Sequence, residues 1–203
     1  MTELWRLGAS QMAEAIRSKK VSAREVVTAH LERIEAVNPT VNAITVVLAE
    51  DALAAAALDE RLAASGEVCG PLHGVPFTVK ENIDLAGSAT TEGVPALAGY
   101  LPDADAPHIA QARAAAGGIP IARTNLPDFG LRWHSDNALR GATLNPWDRS
   151  RTPGGSSGGE AVALATGMTP LGMGNDLGGS LRVPSQFNGT AALKPSYGRI
   201  ATR

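Results

Sequence analysis

Two glycine-rich turns, each delivering a serine, constrain this chain more than any other feature. The first reads Arg151-Thr152-Pro153-Gly154-Gly155-Ser156-Ser157-Gly158-Gly159-Glu160, and the second Asn175-Asp176-Leu177-Gly178-Gly179-Ser180-Leu181-Arg182-Val183-Pro184. Glycine next to a polar side chain lets the backbone bend sharply or approach a ligand closely. A single Gly/Ser cluster reads as a flexible loop. Here the two clusters are separated by an Ala-rich apolar segment that reads as helix and then strand. A disordered linker does not alternate with apolar segments in this way.

The rest of the chain supplies a layered frame for those turns. Helices are expected at 10–19, with Leu7, Met12 and Ile16 inward, and from Ser22 to before Pro39. Ser22-Ala-Arg-Glu25 is a capping box that opens the second helix, which carries Val26, Val27, Leu31, Ile34 and Val37. A β-branched strand at 41–48 precedes an Ala-rich helix at 50–64 closed by Gly66. Further helices are expected at 105–116 and from Gly158 to Thr166, with helical turns at 126–131 and 185–189. Short strands fall at 77–80, 119–122 and 171–174; Pro120 argues for an edge position or a late-starting strand. Helices alternating with short apolar strands predict an α/β fold, with a largely parallel or mixed central sheet and helices on both faces. No linker divides the chain, so residues 1–203 read as one domain: a helical region over about 1–66, then a core at 67–203.

Composition excludes several classes. Hydrophobic residues make up 44% and charged residues 19%, as in soluble globular proteins. A net charge of −2 without a basic patch gives no footprint for nucleic acid. The longest apolar run, 52–58, is too short to span a bilayer, and Met1 to Trp5 do not begin a signal peptide. The lone Cys69 fits a reducing, cytoplasmic setting. His30, His73, His108 and His134 show no metal-ligand spacing, so no metal or other cofactor is expected. His30 reads as a surface or packing histidine.

The serines can be tested against known chemistry by spacing. Gly172-Met-Gly174-Asn-Asp-Leu177 fails the dinucleotide fingerprint at its last position, and a P-loop is absent. Gly154-Gly155-Ser156-Ser157-Gly158 meets the form of a hydrolase elbow, but that fold places its histidine after the nucleophile, and the last histidine here is His134. A Ser-His-Asp site in another chain order has no local support. A serine hydrolase without histidine needs another base, and lysine is the remaining option. Lys80 ends a strand that reads as buried; its local sequence alone leaves functional and solvated readings even.

Several motifs together resolve the matter by resemblance. His73-Gly-Val-Pro-Phe-Thr-Val-Lys80-Glu-Asn82, Asn145-Pro-Trp-Asp148, Thr152 to Gly159, Asp176 to Pro184 and Leu193-Lys-Pro-Ser-Tyr-Gly198 resemble, in order, the amidase signature family. The resemblance implies amide (C–N) hydrolysis of a small-molecule substrate through a Ser-cisSer-Lys triad. Position by position, Ser180 corresponds to the acyl-forming nucleophile, Ser156 to the bridging serine after a cis peptide, and Lys80 to the base. The amides of Leu177, Gly178, Gly179 and Ser180 correspond to the oxyanion hole. Ser157 and Asp176 are expected to support the loops by hydrogen bonding; Arg182 is expected to be structural, with reach toward a substrate carboxylate as the alternative.

At its reference pKa a lysine is neutral in only ~0.04% of molecules at pH 7, so the base needs desolvation to bring it toward ~7–8. The sequence departs from the family mildly at Asn175, where threonine is frequent, and at Leu181, where isoleucine is. Glu160 is shared with some branches, including fatty acid amide hydrolase-like members. Val183 stands where the subunit that supplies ammonia for Gln-tRNA synthesis usually has glutamine, which argues against that subunit. The family's domain is much longer than this chain. The expectation is therefore an N-terminal part of an amidase whose absent C-terminal half would supply further strands and much of the acyl pocket. Partners left open are that half, a homo-oligomer, or an amidotransferase complex; a non-catalytic fragment is the remaining alternative.

Overall fold

A computed structural model describes residues 3–67 and 70–201. Cys69, on which the redox reading rested, lies outside the described residues.

The chain opens with two helices, α1 (Ala9–Arg17) and α2 (Ala23–Val41). The expected capping box forms: Glu25 N donates to Ser22 Oγ at 3.1 Å and Ser22 N donates to Glu25 Oε2 at 2.8 Å. Each bond satisfies an amide that the first helical turn leaves free. α2 does not stop before Pro39 as expected but continues to Val41. Pro39 stands in the last turn, where it gives up one bond to the preceding turn, and Asn42 in a left-handed conformation closes the helix, its N–H donating to Asn38 O at 2.8 Å. The following strand, β1 (Ile44–Val47), is correspondingly shorter than expected. Next come α3 (Ala49–Ser65), capped by Gly66 at φ 87°, and β2 (Pro76–Lys80).

α4 (Pro107–Ala114), β3 (Ile119–Thr124), α5 (Gly158–Ala165), the two-residue β4 (Gly172–Met173) and α6 (Arg182–Asn188) complete the order. The segment 126–131 contributes only a 3-10 turn, Asp128–Gly130. The sheet is mixed, in the order β1-β3-β2-β4; β2 runs parallel to both β3 and β4, and β1 pairs antiparallel with β3.

This order corrects the placement of Pro120, whose strand is interior. The proline is tolerated because β1 is paired no further than Val47 opposite Ala122, with Leu48 N bonding Ile121 O. Pro120 therefore lies beyond the end of β1, where its missing N–H interrupts no ladder.

Helices cover both faces. Side chains alternate along β2. Phe77 and Val79 join Ile109 and Ala112 of α4 in one apolar cluster, while Thr78 and Lys80 face α5. A larger cluster joins α2, α3, β3 and α5 through Val27, Ile34, Ala56, Ile121 and Val162. His30 is a packing residue, fully buried on α2, and burial pushes its pKa down to about 4. Among the described residues no helix is long and apolar enough to cross a membrane.

Candidate active site

The site forms where the last residue of β2 meets the two serine turns. Lys80 pairs in register with Thr124 of β3 and is fully buried. Its Nζ lies 2.6 Å from Ser156 Oγ and 2.6 Å from Asn175 Oδ1. Burial pushes the Lys80 pKa down to about 7, against the opposing charges of Glu160, Glu92 and Asp176. The solvated reading of Lys80 is therefore discarded: an ammonium without bulk water is disfavoured until it loses its proton.

Ser156 is positioned by what precedes and follows it. The Gly155–Ser156 peptide is cis. Two residues on, α5 begins so close to the end of β3 that Gly159 donates to Asn125 O at 3.2 Å, and a side chain on Gly159 would run into the Asn125 backbone. Gly130, at φ 67°, closes the opposite side; a methyl group there would stand 3.2 Å from Ser156 Oγ.

The Ser180 turn is tied to Ser156 through backbone and carboxylate. Ser157 N donates to Ser180 O at 3.0 Å, and Ser157 Oγ donates to Asn175 O at 3.3 Å. The Asp176 carboxylate accepts from Gly179 N at 2.7 Å and Leu181 N at 3.0 Å. Arg182 closes on the same carboxylate with two nitrogens, at 3.0 and 2.9 Å. These donors, led by the Arg182 guanidinium, hold Asp176 far below the ordinary carboxylate range. Asp176 and Arg182 thus brace the loop; in this structure the guanidinium is engaged with Asp176.

One element of the expected oxyanion hole differs. The Gly179 N–H is taken by Asp176, so it is held by a carboxylate. Among the described residues, no protein acceptor takes the N–H groups of Leu177, Gly178 or Ser180. Ser180 itself is buried, whereas the Leu177 side chain is 95% exposed.

Sequence reasoning gave no role to three polar residues that lie here. Asn175 touches Lys80 directly, and its Nδ2 donates to Asn82 Oδ1 at 3.1 Å. Glu160 is fully buried beneath the sheet, accepting from Thr78 Oγ1 at 2.6 Å and Thr124 Oγ1 at 2.9 Å; burial pushes its pKa up to about 7. The signal for Glu160 was its place in the first turn of an apolar helix, a costly position for an unpaired carboxylate. The histidines sit elsewhere: His73 Nε2 is 3.2 Å from Asp59 O, and His134 Nδ1 is 2.9 Å from Thr152 Oγ1. Among the described residues no group of three or more His, Cys, Asp or Glu could hold a metal ion.

Comparison with known proteins places this arrangement in a family. The chain is 48% identical to the indoleacetamide hydrolase of Bradyrhizobium diazoefficiens over 97% of its own length and 37% of that protein's. It is 45% identical to a glutamyl-tRNA(Gln) amidotransferase subunit of Acidothermus cellulolyticus, over 99% of this chain and 40% of that one. Among solved structures, the peptide amidase of Stenotrophomonas maltophilia superposes with a TM-score of 0.85 at 31% identity, covering 90% of this chain and 39% of the enzyme. Fatty acid amide hydrolase superposes at 0.86 with 26% identity, over 91% and 33% of the two chains. The chain thus spans well under half the length of these relatives. The Amidase family model matches residues 25–203, and the chain belongs to that family, the amidase signature enzymes.

Proposed function

We propose that this chain carries the catalytic residues of an amide hydrolase that works through an acyl-enzyme on Ser180. The carrying observation is the 2.6 Å contact between a fully buried Lys80 Nζ and Ser156 Oγ, beside the Ser180 turn. Neutral Lys80 takes the Ser156 proton as Ser156 takes that of Ser180, and Ser180 Oγ attacks the amide carbon of a small-molecule substrate. The developing oxyanion faces the N–H groups of Leu177, Gly178 and Ser180; each such donor is worth about 3–4 kcal/mol of transition-state stabilisation. As the C–N bond breaks, the relay reverses and Lys80 returns a proton through Ser156 to the leaving amine. Water then attacks the acyl carbon and releases Ser180. No metal takes part in this scheme.

The test is covalent labelling of the full-length protein with a fluorophosphonate, read by mass spectrometry. The adduct is expected on Ser180 and is expected to vanish in Ser180→Ala and Lys80→Ala. Labelling of Ser156 instead would exchange the roles of the two serines.

A second reading is favoured by the 45% identity to an amidotransferase subunit. There the same chemistry on glutamine would release ammonia to a partner subunit. Val183 weighs against it. Glutaminase activity that appears only on co-expression with partner subunits would select this reading; turnover of simple amides without partners would select the first.

A further inference from the structure

We propose that Asn175 is the positioning residue that presents Lys80 to Ser156, at the head of an amide chain ending on Glu92. The inference rests on the catalytic reading of Lys80 above. A neutral amine has two N–H groups and one lone pair, and only the lone pair can take a proton from Ser156. Ser156 Oγ can either donate or accept, so its contact alone leaves the amine free to turn an N–H toward it. Asn175 Oδ1 can only accept. Its 2.6 Å contact therefore fixes one N–H of Nζ away from Ser156 and leaves the lone pair a direction toward the serine hydroxyl.

The amide is itself held in that orientation. Asn175 Nδ2 donates to Asn82 Oδ1 at 3.1 Å, which fixes the oxygen on the Lys80 side. The Asn82 side chain in turn holds the half-buried Glu92 carboxyl down against the burial that raises it. Ser157 Oγ clips the Asn175 backbone carbonyl at 3.3 Å, so the serine turn and the positioning residue move together. The row is polarised in one sense, Asn175 donating away from the lysine to Asn82, on the side of the Glu92 carboxyl. Such a row strengthens the acceptor at its head and favours the protonated amine. It acts on Lys80 alongside the charges of Glu160, held by the β2 and β3 threonines, and of Asp176 in the neighbouring turn.

The role has a signature that a merely structural residue lacks. In the full-length protein, pH profiles of amide turnover are compared for wild type and for Asn175→Leu, Asn175→Asp, Asn175→Thr and Glu92→Gln. Asn175→Leu removes the acceptor: the acid limb is expected to move to lower pH and the plateau to fall ~10–100-fold, the worth of a hydrogen bond to a charged group. Asn175→Asp places a carboxylate on the ammonium and is expected to move the limb up by ~1–3 units. Asn175→Thr restores an oxygen acceptor and is expected to recover most of the loss. Glu92→Gln leaves Asn175 in place and is expected to move the limb down by less than Asn175→Leu. If the Asn175 variants fold with unmoved limbs while Lys80→Ala is inactive, the positioning role is overturned and the catalytic reading stands. If Lys80→Ala keeps wild-type turnover and its acid limb, the catalytic reading itself falls. Should Asn175→Leu fail to fold, the Asn175→Thr and Asn175→Asp limbs decide, since Glu92→Gln also removes a charge that acts on Lys80 directly.

Discussion

Lys80 and Ser156 meet at 2.6 Å from opposite ends of the construction, one at the last position of an interior strand and the other just ahead of a helix. The strand buries the lysine, and the glycines before and within the helix let the serine reach it. Placement and desolvation thus arise from the same packing. The ammonium loses its water because the sheet is covered by α5, and the serine arrives because α5 begins there.

That coupling predicts a pH profile. With Lys80 lowered to about 7, acylation in the full-length protein is expected to rise through an apparent pKa near 7 and level off above it, because only the neutral amine accepts a proton. Lys80→Ala is expected to lose acylation by ~10²–10⁴-fold while keeping its far-ultraviolet circular dichroism. Stopped-flow acylation with an activated ester across pH 5–9 checks it. A flat profile, together with a fully active Lys80→Ala, would remove lysine from the mechanism.

Glu160 predicts a stability effect of defined sign. Its folded pKa, about 7, lies above the ordinary glutamate value of 4.5, so between those values the unfolded chain has released a proton that the folded chain retains. Stability is therefore full below about 4.5 and falls as pH rises through 7. The loss assignable to this group is ~3 kcal/mol. Glu160→Gln keeps the shape and can meet Thr78 and Thr124 with their hydroxyls turned, so it is expected to flatten this decline. Urea unfolding of both proteins at pH 5 and pH 8 measures it. Equal pH dependence in the two would show that Glu160 ionises freely in the fold.

Asp176 and Arg182 predict separable effects. The Asp176 side chain is fully buried and satisfies backbone amides of Gly179 and Leu181, whereas the Arg182 side chain is 58% exposed. Asp176→Ala strands those amides beside Ser180, so it is expected to lower kcat by at least ~10-fold, with a stability loss of ~1–3 kcal/mol. Arg182→Ala leaves the carboxylate with its backbone donors and solvent, and its effect is expected to be clearly smaller. A thermal melt and a kcat measurement on each variant distinguish them. Larger damage from Arg182→Ala would mean that the guanidinium also serves the substrate.

The sequence made some of this arrangement legible and hid the rest for physical reasons. The capping box at Ser22 and Glu25 and the glycine cap at Gly66 were readable because they are local chemistry. The Lys80 and Ser156 positions were readable from motif resemblance, but their contact spans strands and helices that no local pattern can align. Pro120 was misplaced because its tolerance depends on where a different strand, β1, ends. Asn175 looked like a mild departure beside Asp176; only the fold brings its oxygen to Lys80. Glu160 carried no assignable role until the threonines of two strands were found beneath it.

A polypeptide of residues 1–203 on its own is expected to associate and to hydrolyse amides negligibly, although Lys80, Ser156 and Ser180 all lie within it. The face around the Ser180 turn exposes Leu177, Trp133 and Leu131, and the segment after α6 exposes Leu193 and Tyr197. Exposed apolar side chains in such number favour association in water. β4, only two residues long, also leaves a sheet edge without a further strand partner among the described residues. Without cover on that face, the free amides of Leu177 and Gly178 face water, which competes for these proposed oxyanion donors and weakens their field. Size-exclusion chromatography and a chromogenic anilide assay on this polypeptide, beside the full-length protein, make the comparison. A monomer with the full-length protein's turnover would show that these residues suffice for both fold and chemistry.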